Sequence, residues 1–261
     1  MAFSDIAGVI LDMDGVLWRG DEPLPGMVDF LGMLQGRGLP FVLATNNSSK
    51  TPANYVEKLK RLGVPSVPER QIVTSGMATA TYLQDRSPAG TRIHVLGGDG
   101  LRQVMQNAGF ALADSDVEYV VVGMDTALTY DTLKRAALLI RQGAAFIGTN
   151  GDRTFPSPEG LLPGAGSILA ALETATDQQP VIIGKPYEPM FRAALTVLET
   201  PPEDTLMIGD RLSTDISGAV YLGLATVLLL SGVTQRHELD NGDIQPDWVY
   251  DNLAALLADW D

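Results

Sequence analysis

Two carboxylates stand two positions apart in LDMDGVLWRG (11–20), where an apolar run breaks directly before a glycine. Like charges this close repel unless a cation, a shared proton or a dipole offsets them, so Asp12 and Asp14 mark either a chemical site or an acidic turn closing a strand. Three further polar breaks follow apolar runs. ATNNSSKTP (44–52) offers the Thr45 hydroxyl and the amides of Asn46 and Asn47 ahead of a helix start, where N–H groups can cradle an anion. VIIGKPYEP (181–189) carries Lys185 behind a buried-strand pattern and a glycine. LMIGDRLSTDISGA (206–219) ends a strand at Asp210 and puts Asp215 at or near the first turn of the next helix. Each break alone has an ordinary alternative: a turn, a solvated lysine or a helix cap.

The elements that must position these residues are legible as apolar runs. IAGVIL (6–11), FVLA (41–44), 92–96, 119–122, 145–148, 181–183, 206–208 and 226–230 read as strands. Helical spacing separates them: Val28, Leu31 and Leu34; then Tyr55, Val56, Leu59 and Leu62 behind a Thr51 cap and Pro52, stopping at Gly63; then Leu133, Ala136, Ala137 and Ile140; then Phe191, Ala194, Leu195 and Leu198. Strands alternating with helices predict an α/β fold with a mostly parallel sheet, whose ligands gather at the carboxyl ends of strands. GGDG (97–100) lacks the spacing of a dinucleotide fingerprint and reads as a turn.

Composition narrows the chemistry. The 261 residues are 45% hydrophobic and 19% charged, which suits a globular core of one large or two smaller domains. No cysteine is present, so thiolate nucleophiles, disulfides and cysteine-ligated zinc are excluded, and two isolated histidines, His94 and His237, count against a histidine metal site. A net charge of −14 without a basic cluster argues against nucleic acid. No apolar stretch is long enough for a membrane span, and the start of the chain lacks a secretory pattern, so a cytoplasmic protein is expected. Catalysis would fall to carboxylates, hydroxyls, amides or lysine.

Taken in order, the four breaks resemble the motifs of the haloacid dehalogenase-like (HAD) superfamily: DxDGV, a strand-end threonine, a lysine and GDxxxTD. The hundred or so residues between the second and third motifs resemble the type 2 cap of subfamily IIA. GTNGDRTFPSPEGLLPGAGSILAALE (148–173) is most similar to the branch of 4-nitrophenyl phosphate and phosphoglycolate phosphatases, beside the N-acetylglucosamine-operon phosphatase. The resemblance implies a Rossmann-like catalytic core over 1–76 and 179–261 and an α/β cap over 77–178, hinged near Thr74–Met77 and Gln178–Ile183. It implies a Mg²⁺-dependent phosphatase acting on a small phosphorylated metabolite, with monomer and homodimer both open.

Hydrolysing a phosphate monoester needs a nucleophile, a proton for the leaving oxygen and compensating positive charge. Asp12 would attack and form an aspartyl-phosphate; Asp14, on the same side of extended backbone, would protonate the leaving oxygen and later activate water. The resemblance assigns Mg²⁺ to the Asp12 carboxylate, the Asp14 carbonyl and the Asp210 carboxylate, with Asp215 behind them orienting Lys185 or a bound water. Thr45, Asn46, Asn47 and Lys185 would hold the phosphoryl group. With a substrate of about −2, the two carboxylates bring the site to about −4, and Mg²⁺ plus Lys185 return about +3. In the cap loop TNGDRTFPSP (149–158), Asn150, Asp152 and Phe155 are the candidates for specificity. Phe155 stands where a relative binding an aromatic cofactor phosphate carries histidine, which counts against that ligand; a packing role is the alternative. Trp18 and Arg19 read equally as a flap beside the leaving group or as a packing tryptophan and a solvent arginine. A dehalogenase would need neither Asp14 nor a metal. A phosphotransferase or mutase, and a non-catalytic phosphate-binding regulator, are the remaining alternatives.

Overall fold

A computed structural model describes residues 3–64, 66–157, 159–240 and 242–260 of the chain. Pro158, the last residue of the expected cap loop, lies outside them. In chain order the main elements are β1 (Gly8–Asp12), β2 (Trp18–Arg19), β3 (Glu22–Pro23), α1 (Met27–Arg37), β4 (Phe41–Thr45), α2 (Pro52–Arg61), β5 (Ile72–Thr74) and α3 (Ser75–Gln84). There follow β6 (Arg92–Leu96), α4 (Asp99–Asn107), β7 (Ala111–Leu112), β8 (Tyr119–Val122), α5 (Tyr130–Arg141), β9 (Ala145–Gly148), β10 (Thr154–Ser157), β11 (Gly160–Pro163), α6 (Ala165–Thr176) and β12 (Val181–Ile182). The chain closes with α7 (Glu188–Leu198), β13 (Thr205–Gly209), α8 (Ser217–Leu222), β14 (Ala225–Leu229), β15 (Trp248–Tyr250) and α9 (Leu253–Ala258).

These elements form two compact units. The first comprises 1–45, 52–73 and 186–261, and the second 46–51 and 74–185. The divisions fall at 73/74 and 185/186, against expected boundaries at 76/77 and 178/179, and 46–51 groups with the second unit.

The first unit is built on a six-stranded sheet in the order β15-β14-β13-β1-β4-β5. β1 runs parallel to β13 on one side and to β4 on the other. Chain order reverses beside β1, and in open α/β sheets such a switch point opens a crevice at the carboxyl ends of the strands. β1, β4, β13 and β14 are buried at every position, as strands covered on both faces must be, which is why they read as unbroken apolar runs. α7 packs on β1 and β4, while α1 and α9 pack together. Phe30, Leu31, Leu34, Leu253, Leu256 and Trp260 join the core there. α1 buries Met27, Phe30, Leu31 and Leu34; Val28, expected inward, is 44% exposed, because Met27 and Phe30 take the inward positions of that turn. α2 begins at Pro52 as expected, and Gly63, at φ 95°, lets the Val64 N–H reach back to Leu59 O at 2.8 Å.

The second unit carries a parallel five-stranded sheet, β12-β9-β8-β6-β7, and an antiparallel hairpin of β10 and β11. Val120, Val122, Leu139, Ile140, Leu169 and Leu172 centre its core. β12 is an edge strand of this sheet, with Val181 46% exposed, so the run before Lys185 is not the buried strand its composition suggested. GGDG is only half a turn: Asp99 and Gly100 already belong to α4, with Gly98 as its N-cap. A Cβ at Gly100 would collide with the Ser49 carbonyl, so that glycine serves close backbone approach.

On β6, His94 is buried with Nδ1 at 3.2 Å from Ala113 O and 3.1 Å from Asp114 Oδ1. Desolvation dominates and pulls its pKa below the ordinary histidine value, with Arg102 adding to the fall; Ala113 and Asp114 oppose it. Below about pH 6.5 the unfolded chain therefore takes up a proton that the folded chain resists, and stability declines with falling pH until the folded pKa is reached. Urea midpoints compared at about pH 7.5 and about pH 5 should fall less in His94→Gln than in the wild type. Equal falls in the two proteins would show that His94 does not carry this pH dependence.

Candidate active site

Four adjacent strands of the first unit end on one side, because all their recorded pairings are parallel. Asp12 is the last residue of β1, Thr45 the last of β4, Asp210 follows β13, and the loop from Leu230 to Thr234 follows β14. The structure brings Asp12, Asp210 and Asp215 into one buried group whose ligand atoms lie within 4.8 Å of one another. They are 8%, 3% and 1% exposed. Three carboxylates so placed repel strongly in a low-dielectric setting, and an all-oxygen donor set of this kind suits a hard divalent cation. The residues present therefore fit a metal ion.

Local backbone explains the convergence. Between β13 and α8, Leu212–Ile216 winds as a π turn, with the N–H groups of Asp215 and Ile216 both reaching Arg211 O (3.0 and 3.3 Å). Such turns are rare and recur at functional sites. This one swings the Asp215 carboxylate back over the strand end, where Oδ2 accepts the N–H groups of Asp210 (3.2 Å) and Arg211 (3.1 Å). Asp210 Oδ2 accepts the Val233 N–H at 2.7 Å. Two glycines leave room for that carboxylate. A Cβ at Gly15, whose φ is +90°, would stand 2.7 Å from Asp210 Cγ, and one at Gly232 would overlap Asp210 Oδ2. The glycine of DxDG and the glycine after β14 are thus both needed by an aspartate remote in sequence.

Asp14 lies outside the carboxylate group. Its side chain is exposed, and Oδ1 accepts the Trp18 indole N–H at 2.9 Å. Trp18 is fully buried, its ring parallel to Tyr55 with centroids 6.3 Å apart and the Lys58 ammonium 4.1 Å from its own centroid. Burial first, then the charges of Asp14 and Asp12, push the Tyr55 phenol well above its ordinary pKa, while nearby Thr45 acts the other way. Arg19 is exposed and donates to Ser231 O at 2.8 Å, and Ser231 Oγ donates to Gly15 O at 2.7 Å. The two residues left open by sequence thus part company: Trp18 packs and touches Asp14, whereas Arg19 ties β2 to the loop after β14.

In the second unit, Lys185 is buried, and its backbone is clamped by Asn46. Lys185 N–H donates to Asn46 Oδ1 (2.8 Å), and Asn46 Nδ2 donates to Lys185 O (3.1 Å) and Asp152 Oδ2 (3.2 Å). Asn46 O in turn accepts from Asn150 Nδ2 (2.8 Å) and Ser75 Oγ (2.5 Å). The Asn46 carboxamide is therefore committed to protein partners, and Asn47 Oδ1 accepts the N–H and hydroxyl of Ser49 at 2.8 and 2.7 Å. Asn150 and Asp152 support the same clamp, and Phe155 is half-buried in the β10–β11 hairpin opposite Leu162. Gly184 is required beside it: a Cβ there would stand 2.6 Å from Asn46 Oδ1 and 2.8 Å from Thr149 O.

Sequence reasoning passed over Tyr55 as an ordinary core residue, and over Lys58 and 231–234 entirely. The loop gives little signal because its contact with Asp210 is made by a backbone N–H; only a glycine shortly after a buried strand, Gly232, points to it.

Two family models match the chain, that of haloacid dehalogenase-like hydrolases over residues 9–111 and a HAD-hydrolase-like model over 182–256. The chain belongs to the haloacid dehalogenase-like hydrolase family, and it is an enzyme of that hydrolase class. Among its relatives, 5'-nucleotidase YutF of Bacillus subtilis is 37% identical over 96% of this chain and 97% of the relative. Acid sugar phosphatase of Staphylococcus haemolyticus is 36% identical over 97% and 95%. The crystal structure of 4-nitrophenylphosphatase from Thermotoga maritima superposes with a TM-score of 0.94 at 38% identity, covering 99% of both chains. Among the described residues, no helix is long and apolar enough to cross a membrane.

The glycine contacts yield a direct test of the carboxylate group. Gly232→Ala should weaken divalent-metal binding at least about tenfold by calorimetric titration, because Asp210 must move. Gly36→Ala, in a helix position with open space around it, should leave affinity unchanged. Equal affinities in both variants would remove Asp210 from the metal site.

Proposed function

We propose that the protein is a Mg²⁺-dependent phosphatase of small phosphate monoesters that works through an aspartyl-phosphate on Asp12. The observation that carries this reading is the buried Asp12–Asp210–Asp215 group at adjacent strand ends, with the Thr45 hydroxyl ending the neighbouring strand, in a chain of the HAD hydrolase family. The relatives named above are a nucleotidase, a sugar phosphatase and a 4-nitrophenylphosphatase; what they share is the phosphate monoester.

In this reading Asp12 and Asp210 would hold the metal with carboxylate oxygens and Asp14 would do so with its backbone carbonyl. Mg²⁺ supplies positive charge that lets an anionic nucleophile approach an anionic phosphoryl group. Asp215 keeps the Asp210 and Arg211 backbone in place. Asp12 attacks phosphorus and the ester P–O bond breaks, its electron pair going to the leaving oxygen, which takes a proton from Asp14. Asp14 then removes a proton from water as that water attacks the phosphoaspartate, returning the free Asp12 carboxylate and inorganic phosphate. Thr45, with the backbone N–H groups of Asn46 and Asn47 and the Lys185 ammonium, offers donors for the non-bridging oxygens. The clamp on its backbone fixes where the lysine stem begins. The second unit serves as the cap, with segments near Thr74–Met77 and Gln178–Ile183 as its hinges.

Phosphate release from 4-nitrophenyl phosphate should require Mg²⁺, stop with chelator and resume when the ion is restored. Asp12→Asn should lower kcat by at least about 10³-fold, and acid quenching of the wild type during turnover should trap one phosphoryl group on Asp12 by peptide mass. Undiminished activity in Asp12→Asn would falsify the nucleophile assignment, and phosphate delivered to an added alcohol in place of water would make the enzyme a phosphotransferase.

A further inference from the structure

We infer that Trp18 is a positioning residue for the proton-transfer carboxylate: its indole N–H selects which oxygen of Asp14 serves the leaving group. This rests on the reading of Asp14 as the general acid.

An indole nitrogen donates and cannot accept, so the oxygen it meets must present a lone pair. Trp18 Nε1 lies 2.9 Å from Asp14 Oδ1. The carbonyl oxygen of a carboxylic acid is its stronger acceptor, so Oδ1 takes that role, and the proton that moves to the leaving oxygen is carried by Oδ2, whose O–H bond pair stays with the carboxylate as the proton leaves. Asp14 is otherwise exposed at the mouth of a strand, and an exposed carboxylate turns freely about its χ angles unless something fixes it.

The donor itself is rigid. Trp18 is fully buried, and the ring faces Tyr55 in parallel at 6.3 Å. The Lys58 ammonium stands 4.1 Å from its centroid while donating to Gly20 O at 2.7 Å. A cation over the ring draws electron density from the indole and strengthens its N–H as a donor. The backbone closes the same arrangement. The N–H of Gly15 donates to Trp18 O at 2.8 Å, and Met13 O accepts from Leu17 at 2.8 Å, so residues 13–18 form one tight loop. The spacing between Asp14 and Trp18 is set by that loop, and the ring cannot withdraw without opening the core around Tyr55 and Leu59.

A side chain that merely packs would affect all substrates alike. A residue that aims an acid matters in proportion to how badly the leaving group needs a proton. Trp18→Phe keeps an aromatic ring and removes the N–H. On 4-nitrophenyl, phenyl and benzyl phosphate, esters of similar size and falling leaving-group acidity, kcat should drop by about 3-fold, about 30-fold and about 100-fold, with KM within about twofold, inside the range that general-acid catalysis supplies. Asp14→Ala should show the same ordering with larger losses. If Asp14→Ala shows the ordering and Trp18→Phe loses the same factor on all three esters, or loses nothing, this inference fails while the acid assignment stands. If Asp14→Ala shows no ordering, the acid assignment fails and this inference falls with it.

A second measurement does not depend on activity or on folding of the phenylalanine variant. The three indole N–H resonances of Trp18, Trp248 and Trp260 can be assigned with Trp248→Phe and Trp260→Phe. In Asp14→Ala the Trp18 resonance should move upfield and exchange faster with solvent, the other two staying in place. An unmoved Trp18 resonance would show that the hydrogen bond does not exist in solution.

Discussion

The loops at the strand ends of the first unit are arranged around the repulsion among Asp12, Asp210 and Asp215. Three carboxylates within 4.8 Å, each nearly out of water, are unstable company for one another, and the chain sets backbone donors against two of them. Backbone N–H groups at the ends of β13 and β14 point at Asp215 and Asp210, and the parallel sheet delivers those ends to one side. A divalent cation would offset what the backbone leaves unbalanced. The site is therefore one in which apo stability and metal affinity oppose each other: any change that relieves the repulsion also weakens the reason to bind a cation.

The same constraint accounts for residues that have no chemistry of their own. Gly15 and Gly232 belong to loops from opposite ends of the chain, and both exist as glycines because the Asp210 carboxylate occupies the space where a side chain would go. In the second unit Gly184 has the same relation to Asn46. A motif that reads as a short local pattern is in each case shaped by a distant partner.

That explains which parts of the molecule the sequence disclosed. Strands buried on both faces gave continuous apolar runs, so β1, β4, β6, β8, β9, β13 and β14 were readable to within a residue or two. Asp12, Thr45 and Asp210 were legible because each interrupts such a run. The two-residue strands β2, β3 and β7, and β15 behind a long polar connection, carry too little pattern to be found. β12 looked buried because composition alone does not separate an edge from a centre. The side-chain amide of Asn46 has the backbone of Lys185 and the carboxylate of Asp152 as partners, contacts that the sequence does not signal. No spacing rule connects residues 139 positions apart. Trp18 stays ambiguous in the sequence for a related reason: the type of the residue shows neither that its ring is buried nor that its N–H meets Asp14.

The division of the chain has a consequence for how such proteins diversify. Because residues 46–51 group with 74–185, the chain passes between the units four times, at 45/46, 51/52, 73/74 and 185/186, where a simple insertion would need two passages. The second unit is therefore not a cassette that can be lifted out whole. A graft of 74–185 onto another scaffold would arrive without Asn46, whose carboxamide and carbonyl organise Lys185, Asn150 and Ser75. Any exchange of the second unit must carry the short loop after β4 as well, because that loop groups with the second unit although it is encoded between two segments of the first.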